Sequence, residues 1–144
     1  MSVCNHVGLC VTDLGRSRRF YEELLGFTFQ RELKVPDGPA SKLLRVQSPV
    51  GMTAVYLELE GFVLELLHFD RPGNQPQRER HFTEPGLTHL SFSVNDLTYT
   101  VSRVEGLGGT VLHDTEMGGM AVMVQDPDGQ LVELLPMSYR SSIP

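Results

Sequence analysis

The chain carries the same short pattern twice, and this internal repeat limits the folds open to it. The segment His6–Leu14 (HVGLCVTDL) recurs as His89–Leu97 (HLSFSVNDL), with histidine, valine, aspartate and leucine at matching offsets. A second pair of segments, Val63–Leu67 (VLELL) and Leu131–Leu135 (LVELL), places one glutamate late in each half. The repeat indicates two copies of one supersecondary unit, each beginning near a histidine and ending near a glutamate.

The hydrophobic pattern gives both halves the same order of elements. Apolar and polar residues alternate over 5–12, and Asp13 can cap a helix over 14–25. The second half repeats this order, with Asp96 in the capping position. Strands are predicted over 5–12, 27–33, 43–47, 53–60, 62–69, 88–95, 110–113, 119–125 and 130–136. Apart from the short strand 43–47, which falls in a larger loop region over 36–48 of the first half, each half has the order β-α-β-β-β and is a module of an α+β fold.

The length of the chain suits one domain that contains both modules. A chain of 144 residues can bury a hydrophobic core of its own. We therefore expect residues 1–144 to form a single domain, with module one at about 5–69 and module two at about 87–137. The segment 70–86 between them is rich in proline, glycine and polar residues, which is typical of a linker.

Composition excludes several classes of partner. The net charge of −6 disfavours a surface that tracks nucleic-acid phosphates. No apolar run approaches the roughly 20 residues that span a bilayer, and the first residues do not resemble a signal peptide. Cys4 and Cys10 would lie roughly 20 Å apart on an extended strand, too far for a disulfide. These features predict a cytoplasmic protein that binds neither nucleic acid nor membrane.

Strand alternation places small or polar residues beside each histidine. The face of His6 also carries Gly8, Cys10 and Thr12, and the face of His89 carries Ser91 and Ser93. The opposite faces carry the large apolar residues that can pack against helices. A face of small polar side chains fills a core poorly, so these residues are expected to line a substrate pocket.

The two histidines and two glutamates form a candidate metal-ligand set. A carboxylate buried in such a pocket costs several kcal/mol unless it is paired or bound to a metal. Two imidazoles and two carboxylates, from His6, Glu65, His89 and Glu133, suit one divalent ion of Zn, Ni, Co, Mn or Fe(II). We therefore predict a single metal site built from both modules.

Over about residues 5–136 the chain resembles the vicinal oxygen chelate superfamily. That superfamily includes glyoxalase I, methylmalonyl-CoA epimerase, extradiol dioxygenases, fosfomycin-modifying enzymes and bleomycin-sequestering proteins. The resemblance rests on the order His, Glu, His, Glu over paired modules and on the segments His6–Leu14, Arg19–Tyr21, Leu25–Phe27 and Asp126–Gly129.

The resemblance implies an architecture. Tandem modules of this superfamily form a cup-like, mostly antiparallel eight-stranded sheet, either within one chain or across two chains. A homodimer is therefore expected, and the exposed strand edges of each small module make such pairing physically reasonable.

The resemblance also implies an activity. The chain is expected to be a metal-dependent glyoxalase- or epimerase-like enzyme that chelates a substrate oxygen and moves a proton beside a carbonyl, as an isomerase, epimerase or lyase of a small molecule. Glu133 is the first choice as catalytic base and Glu65 the second. The arginine and asparagine with which glyoxalase I binds glutathione are replaced by Cys10 and Phe69, which places Phe69 in the expected pocket and argues against glutathione.

Two other functions fit the same resemblance. One is a metal-free protein that sequesters a drug or metabolite, as bleomycin-resistance proteins do. The other is an Fe(II) dioxygenase of the extradiol type, although those enzymes use two histidines and one glutamate, so the additional carboxylate of Glu65 argues against it.

Overall fold

A computed structural model describes residues 1–70 and 78–142. Part of the linker predicted over 70–86 therefore lies outside the described residues. The elements of module one are β1 (Val7–Cys10), α1 (Leu14–Arg19), a π-helical turn (Phe20–Leu24), β2 (Thr28–Lys34), α2 (Asp37–Leu44), β3 (Met52–Leu59) and β4 (Phe62–Phe69). Those of module two are β5 (Leu90–Val94), α3 (Leu97–Arg103), a 3-10 turn (Glu105–Leu107), β6 (Thr110–Val111), a second 3-10 turn (His113–Thr115), β7 (Val122–Gln125), β8 (Leu131–Pro136) and a last 3-10 turn (Met137–Ser142).

The eight strands form two four-stranded sheets with the same topology. The strand orders are β1-β4-β3-β2 and β5-β8-β7-β6. In each sheet the first strand of the module runs parallel to the last, and the other pairs are antiparallel. The predicted α+β fold of tandem modules is confirmed, and β1 and β5 each lie at the edge of a sheet.

Both predicted helix caps are present. The Asp13 carboxylate accepts a hydrogen bond from the backbone N–H of Arg16 at 2.9 Å, and the Asp96 carboxylate accepts one from Tyr99 at 2.9 Å. Each bond satisfies one of the N–H groups that a helix start leaves without a partner. None of the helices within the described ranges is long and apolar enough to span a membrane.

The strand predicted over 43–47 is wrong: Leu43 and Leu44 are the last residues of helix α2, and residues 45–47 belong to no helix or strand. Helix α2 follows Pro36, whose extended backbone suits a helix start, and ends where Arg45 adopts a left-handed conformation. The Asp37 carboxylate anchors the helix by accepting hydrogen bonds from the Ser48 hydroxyl and the Val50 N–H. Leu43, whose apolar side chain favoured a strand, is 81% exposed on α2.

One hydrophobic core is shared by the two modules. Leu64 and Leu66 of β4 and Val132 and Leu134 of β8 are fully buried in the same cluster. Side chains alternate across a strand, so the glutamate between each pair of core residues faces the other side of its sheet. The two glutamate-bearing faces therefore lie on the outer sides of the two sheets.

A turn of module two is hydrogen bonded to module one. The phenol of Tyr21 donates a 2.8 Å hydrogen bond to the buried carboxylate of Asp126. At the same turn, the Asp128 carboxylate accepts hydrogen bonds from the Thr12 hydroxyl at 2.5 Å and from Arg16 at 3.1 Å. The turn thus joins the modules around the start of α1.

Candidate metal centre

The first histidine and glutamate meet on the outer face of sheet one. The parallel register pairs Gly8 with Glu65, and His6 lies two residues before Gly8 on the same face. The Nε2 atom of His6 is 2.9 Å from Oε2 of Glu65. Glu65 is buried, whereas His6 is exposed. One imidazole nitrogen and one carboxylate oxygen therefore point at the same small volume.

Tyr56 completes this group, and it is not among the site residues predicted from the sequence. Its hydroxyl donates a 2.6 Å hydrogen bond to Oε1 of Glu65. Burial, followed by the hydrogen bond to Glu65 and the charge of that carboxylate, raises the pKa of Tyr56. The phenol therefore remains a donor around neutral pH.

A hairpin signal could have identified Tyr56. Glu60 and Gly61, both with positive φ, form a two-residue loop between β3 and β4. A two-residue loop fixes the register of its strands. Counting back three residues from Leu59 and forward three from Phe62 pairs Tyr56 with Glu65, as the structure does.

The second histidine and glutamate occupy the equivalent positions on sheet two, but they lie farther apart. The register pairs Ser91 with Glu133, and His89 again lies two residues earlier. His89 Nε2 is 3.8 Å from Glu133 Oε2, and the Ser91 hydroxyl donates a 2.6 Å hydrogen bond to that same oxygen. These residues and Ser93 line a cavity of about 620 Å³ together with Phe62 and Leu135.

The other predicted pocket residues are distributed along sheet one. Gly8 leaves space beside the site, since a Cβ there would lie 3.7 Å from Oε2 of Glu65. Cys10 pairs with Leu67 farther along the same face. Partial burial of its thiol, and then the charge of Asp128, raises the pKa of Cys10, so the reactive thiolate is scarce.

Thr12 and Phe69 lie away from His6. Thr12 follows the end of β1, and its hydroxyl contacts Asp128 rather than the pocket. Phe69 lies at the end of β4 in a second apolar cluster, which includes Ala40 of α2. Helix α2 therefore packs over one end of the face that carries Glu65 and narrows the space available there.

The two pairs do not meet within one chain. Across residues 1–70 and 78–142, no group of three or more histidine, cysteine, aspartate or glutamate side chains is placed to hold a metal ion. Each pair by itself supplies one imidazole nitrogen and one carboxylate oxygen, which are good donors for a divalent transition metal but too few for a stable site. The chemistry of each half fits a cation, and the full donor set needs both halves together.

Comparison with known proteins agrees with the two-module architecture. The profile of the Glyoxalase/Bleomycin resistance protein/Dioxygenase superfamily matches residues 4–134. The Escherichia coli (strain K12) protein YaeR is 31% identical over 134 residues, which cover 90% of this chain and 92% of YaeR. A lactoylglutathione lyase of Pseudomonas aeruginosa is 32% identical, over 98% of this chain and 86% of that protein.

A solved structure shows the same fold at lower identity. A glyoxalase family protein from Bacillus cereus superimposes with a TM-score of 0.78 at 18% sequence identity, and the match covers 92% of each chain. Similarity at this level concerns the fold alone.

Proposed function

Because the chain belongs to the Glyoxalase/Bleomycin resistance protein/Dioxygenase superfamily, we propose that it is a divalent-metal-dependent lyase or isomerase that moves a proton beside the carbonyl of a small substrate. The observation that carries the proposal is the pair of equivalent His–Glu contacts, His6 with Glu65 and His89 with Glu133. The lactoylglutathione lyase among the relatives supports a lyase-type activity. The cytoplasmic location expected from the free thiols of Cys4 and Cys10 is part of the proposal.

We propose that two chains complete the site. The His–Glu pairs lie on the faces of the sheets that point away from the shared core, and β1 and β5 are the edge strands of their sheets. Pairing of β1 in one subunit with β5 in the other would join the two faces into one curved eight-stranded sheet. His6 and Glu65 would then share a cation with His89 and Glu133 of the partner subunit.

The proposed reaction needs a cation that activates the substrate and a base that moves the proton. A bound divalent cation would act as a Lewis acid, drawing electron density from a substrate oxygen and so acidifying the neighbouring C–H bond. The Glu133 carboxylate takes the proton from that carbon and returns it to the adjacent carbon. Glu133 suits this task because 27% of its side chain is exposed to the cavity, against 11% for Glu65.

Two residues stand where glyoxalase I has the arginine and asparagine that bind glutathione, and they affect which substrate can bind. Cys10 is close to Leu67, and Phe69 lies in an apolar cluster under α2. Neither side chain offers a positive charge or an amide to a peptide carboxylate. We therefore favour a small carbonyl substrate without a glutathione carrier.

Metal content tests the proposal directly. Protein dialysed against Ni²⁺, Zn²⁺, Co²⁺ or Mn²⁺ should retain about one equivalent per chain, and a chelator should remove both metal and turnover reversibly. Turnover is measured as deuterium uptake from D₂O beside the carbonyl in a panel of α-hydroxy and α-oxo compounds. His6→Ala should lose the metal, whereas His113→Ala should keep it, because His113 is exposed and lies outside both pairs.

Two outcomes would favour other members of the superfamily. Metal content below about 0.1 equivalent, together with stoichiometric ligand binding and no turnover, would indicate a metal-free binding protein. Turnover that requires Fe(II) and stops under strict anaerobiosis would indicate a dioxygenase.

Mixed dimers test the shared site. Glu65→Gln and Glu133→Gln chains should each be inactive alone. Coexpressed and randomly assorted, they should recover roughly a quarter of wild-type activity, since half of the dimers are mixed and each has one intact site of two. A site within one chain would give no recovery, because every chain then carries a defect in its own site.

A further inference from the structure

We infer that two hydroxyl groups assign the two glutamates to different tasks: Tyr56 fixes Glu65 as a permanent metal ligand, and Ser91 holds Glu133 in the position of the base. Both are positioning residues, because each acts through a glutamate. The inference rests on the proposed function and assigns roles to residues within that site.

Tyr56 binds the oxygen of Glu65 that does not face His6. Its hydroxyl binds Oε1 at 2.6 Å, while Oε2 is the oxygen that lies 2.9 Å from His6 Nε2. The carboxylate is thus held by one oxygen and presents the other toward the cation position. Hydrogen bonds of this kind orient ligands and often change metal affinity 10- to 100-fold.

The ring of Tyr56 is itself restrained from two directions. The Arg31 guanidinium carbon lies 4.4 Å from the centroid of the ring. The His6 ring approaches edge-on, with centroids 5.8 Å apart. A phenol packed between these groups has few alternative rotamers, so its hydrogen bond holds Glu65 in one orientation.

Ser91 makes the opposite arrangement at Glu133. Its hydroxyl binds Oε2, which is the same oxygen that lies nearest His89 Nε2, at 3.8 Å. A hydrogen bond there gives this oxygen a donor even when Glu133 binds no cation, and so stabilises the carboxylate when it is not a ligand. The Ser91 contact therefore suits a carboxylate that would act as the base rather than as a permanent ligand.

The residues that lie opposite the two glutamates on the neighbouring strands also differ between the two modules. Tyr56 lies opposite Glu65, and the equivalent position opposite Glu133 is Met123, which cannot donate a hydrogen bond. On the other side, Gly8 lies opposite Glu65 and Ser91 lies opposite Glu133. The hydroxyl that binds the glutamate therefore comes from β3 in module one and from β5 in module two.

Removal of one hydroxyl at a time tests the inference. Tyr56→Phe should weaken metal binding about 10-fold or more, while kcat of the metal-saturated enzyme stays within about threefold. Ser91→Ala should leave metal affinity within about threefold and lower metal-saturated kcat about 10-fold or more. Metal dissociation constants come from competition with a chromophoric chelator, and kcat from deuterium exchange at saturating metal.

Controls separate this inference from the proposed function. Tyr99→Phe removes a hydroxyl from an exposed side chain and should change neither the metal affinity nor kcat. Thermal unfolding of each metal-free variant measures any general loss of structure. Equal effects of the two variants on affinity and on kcat, or the reverse pattern, would overturn the inference. A wild-type protein without metal affinity would instead overturn the proposed function.

Discussion

We expect Glu133→Gln to lower kcat by about 10³-fold, the range in which removal of a positioned general base acts. Glutamine keeps the length of the side chain and can accept the hydrogen bond from Ser91, but it cannot take a proton from carbon. The loss should appear in deuterium exchange at saturating metal and substrate. Because the fold is retained, the unfolding midpoint should be close to that of the wild type.

A matched exchange elsewhere controls for the change of charge. Glu105 is exposed in the 3-10 turn after α3, so Glu105→Gln removes the same charge far from the site and should leave kcat unchanged. If Glu133→Gln retained full turnover, Glu133 could not be the base, and Glu65 would be the carboxylate to examine.

The largest effect on stability is expected at Asp126. Its carboxylate accepts hydrogen bonds from the Tyr21 phenol at 2.8 Å and from the N–H groups of Asp128 and Gln130 at 2.9 Å each. Asp126→Ala would leave three buried or half-buried donors without an acceptor. We expect the free energy of unfolding to fall by about 3 kcal/mol, measured by urea denaturation.

Asp126→Asn is the informative companion variant. Burial raises the pKa of Asp126, so its protonated form favours folding; that contribution is present at acid pH and is lost as the pH rises through the folded-state value. The negative charge is therefore not what stabilises the turn. Asparagine keeps an acceptor for the backbone N–H groups and should cost only about 1 kcal/mol at neutral pH.

An exposed aspartate provides the control for Asp126. Asp114→Ala, in the 3-10 turn that follows β6, should change stability by less than about 0.5 kcal/mol. A similarly small loss for Asp126→Ala would mean that the turn does not join the modules energetically.

The sequence predicted the elements that depend on local pattern and on the repeat. Asp13 and Asp96 cap their helices because capping requires only a side chain three residues before an N–H. Each histidine lies near its glutamate because the first and last strands of a module pair in parallel with equivalent registers. The sequence grouped these four residues into one metal-ligand set, and the structure brings them together as two separate pairs.

Other features depend on tertiary packing and could not be predicted from local pattern or from the repeat. The apolar residues of α2 suit a strand, and the helix forms because Asp37 anchors its start and Ala40 is buried against β3. Thr12 continues the alternation of β1 in sequence, but β1 ends before it. Its hydroxyl donates a hydrogen bond to Asp128 of the other module instead. Tyr56 required the register across a hairpin, which alternation along one strand does not contain.

Under the proposed assembly, the shared core makes activity depend on the protein concentration. The His–Glu pairs lie on sheet faces that point away from this core, and within residues 1–70 and 78–142 they form no group of three or more ligands. Under the proposed assembly a single chain therefore contains two incomplete halves and no working site. The number of working sites then rises with the square of the protein concentration until subunits are saturated. Dilution would then lower the activity of the proposed enzyme without unfolding it.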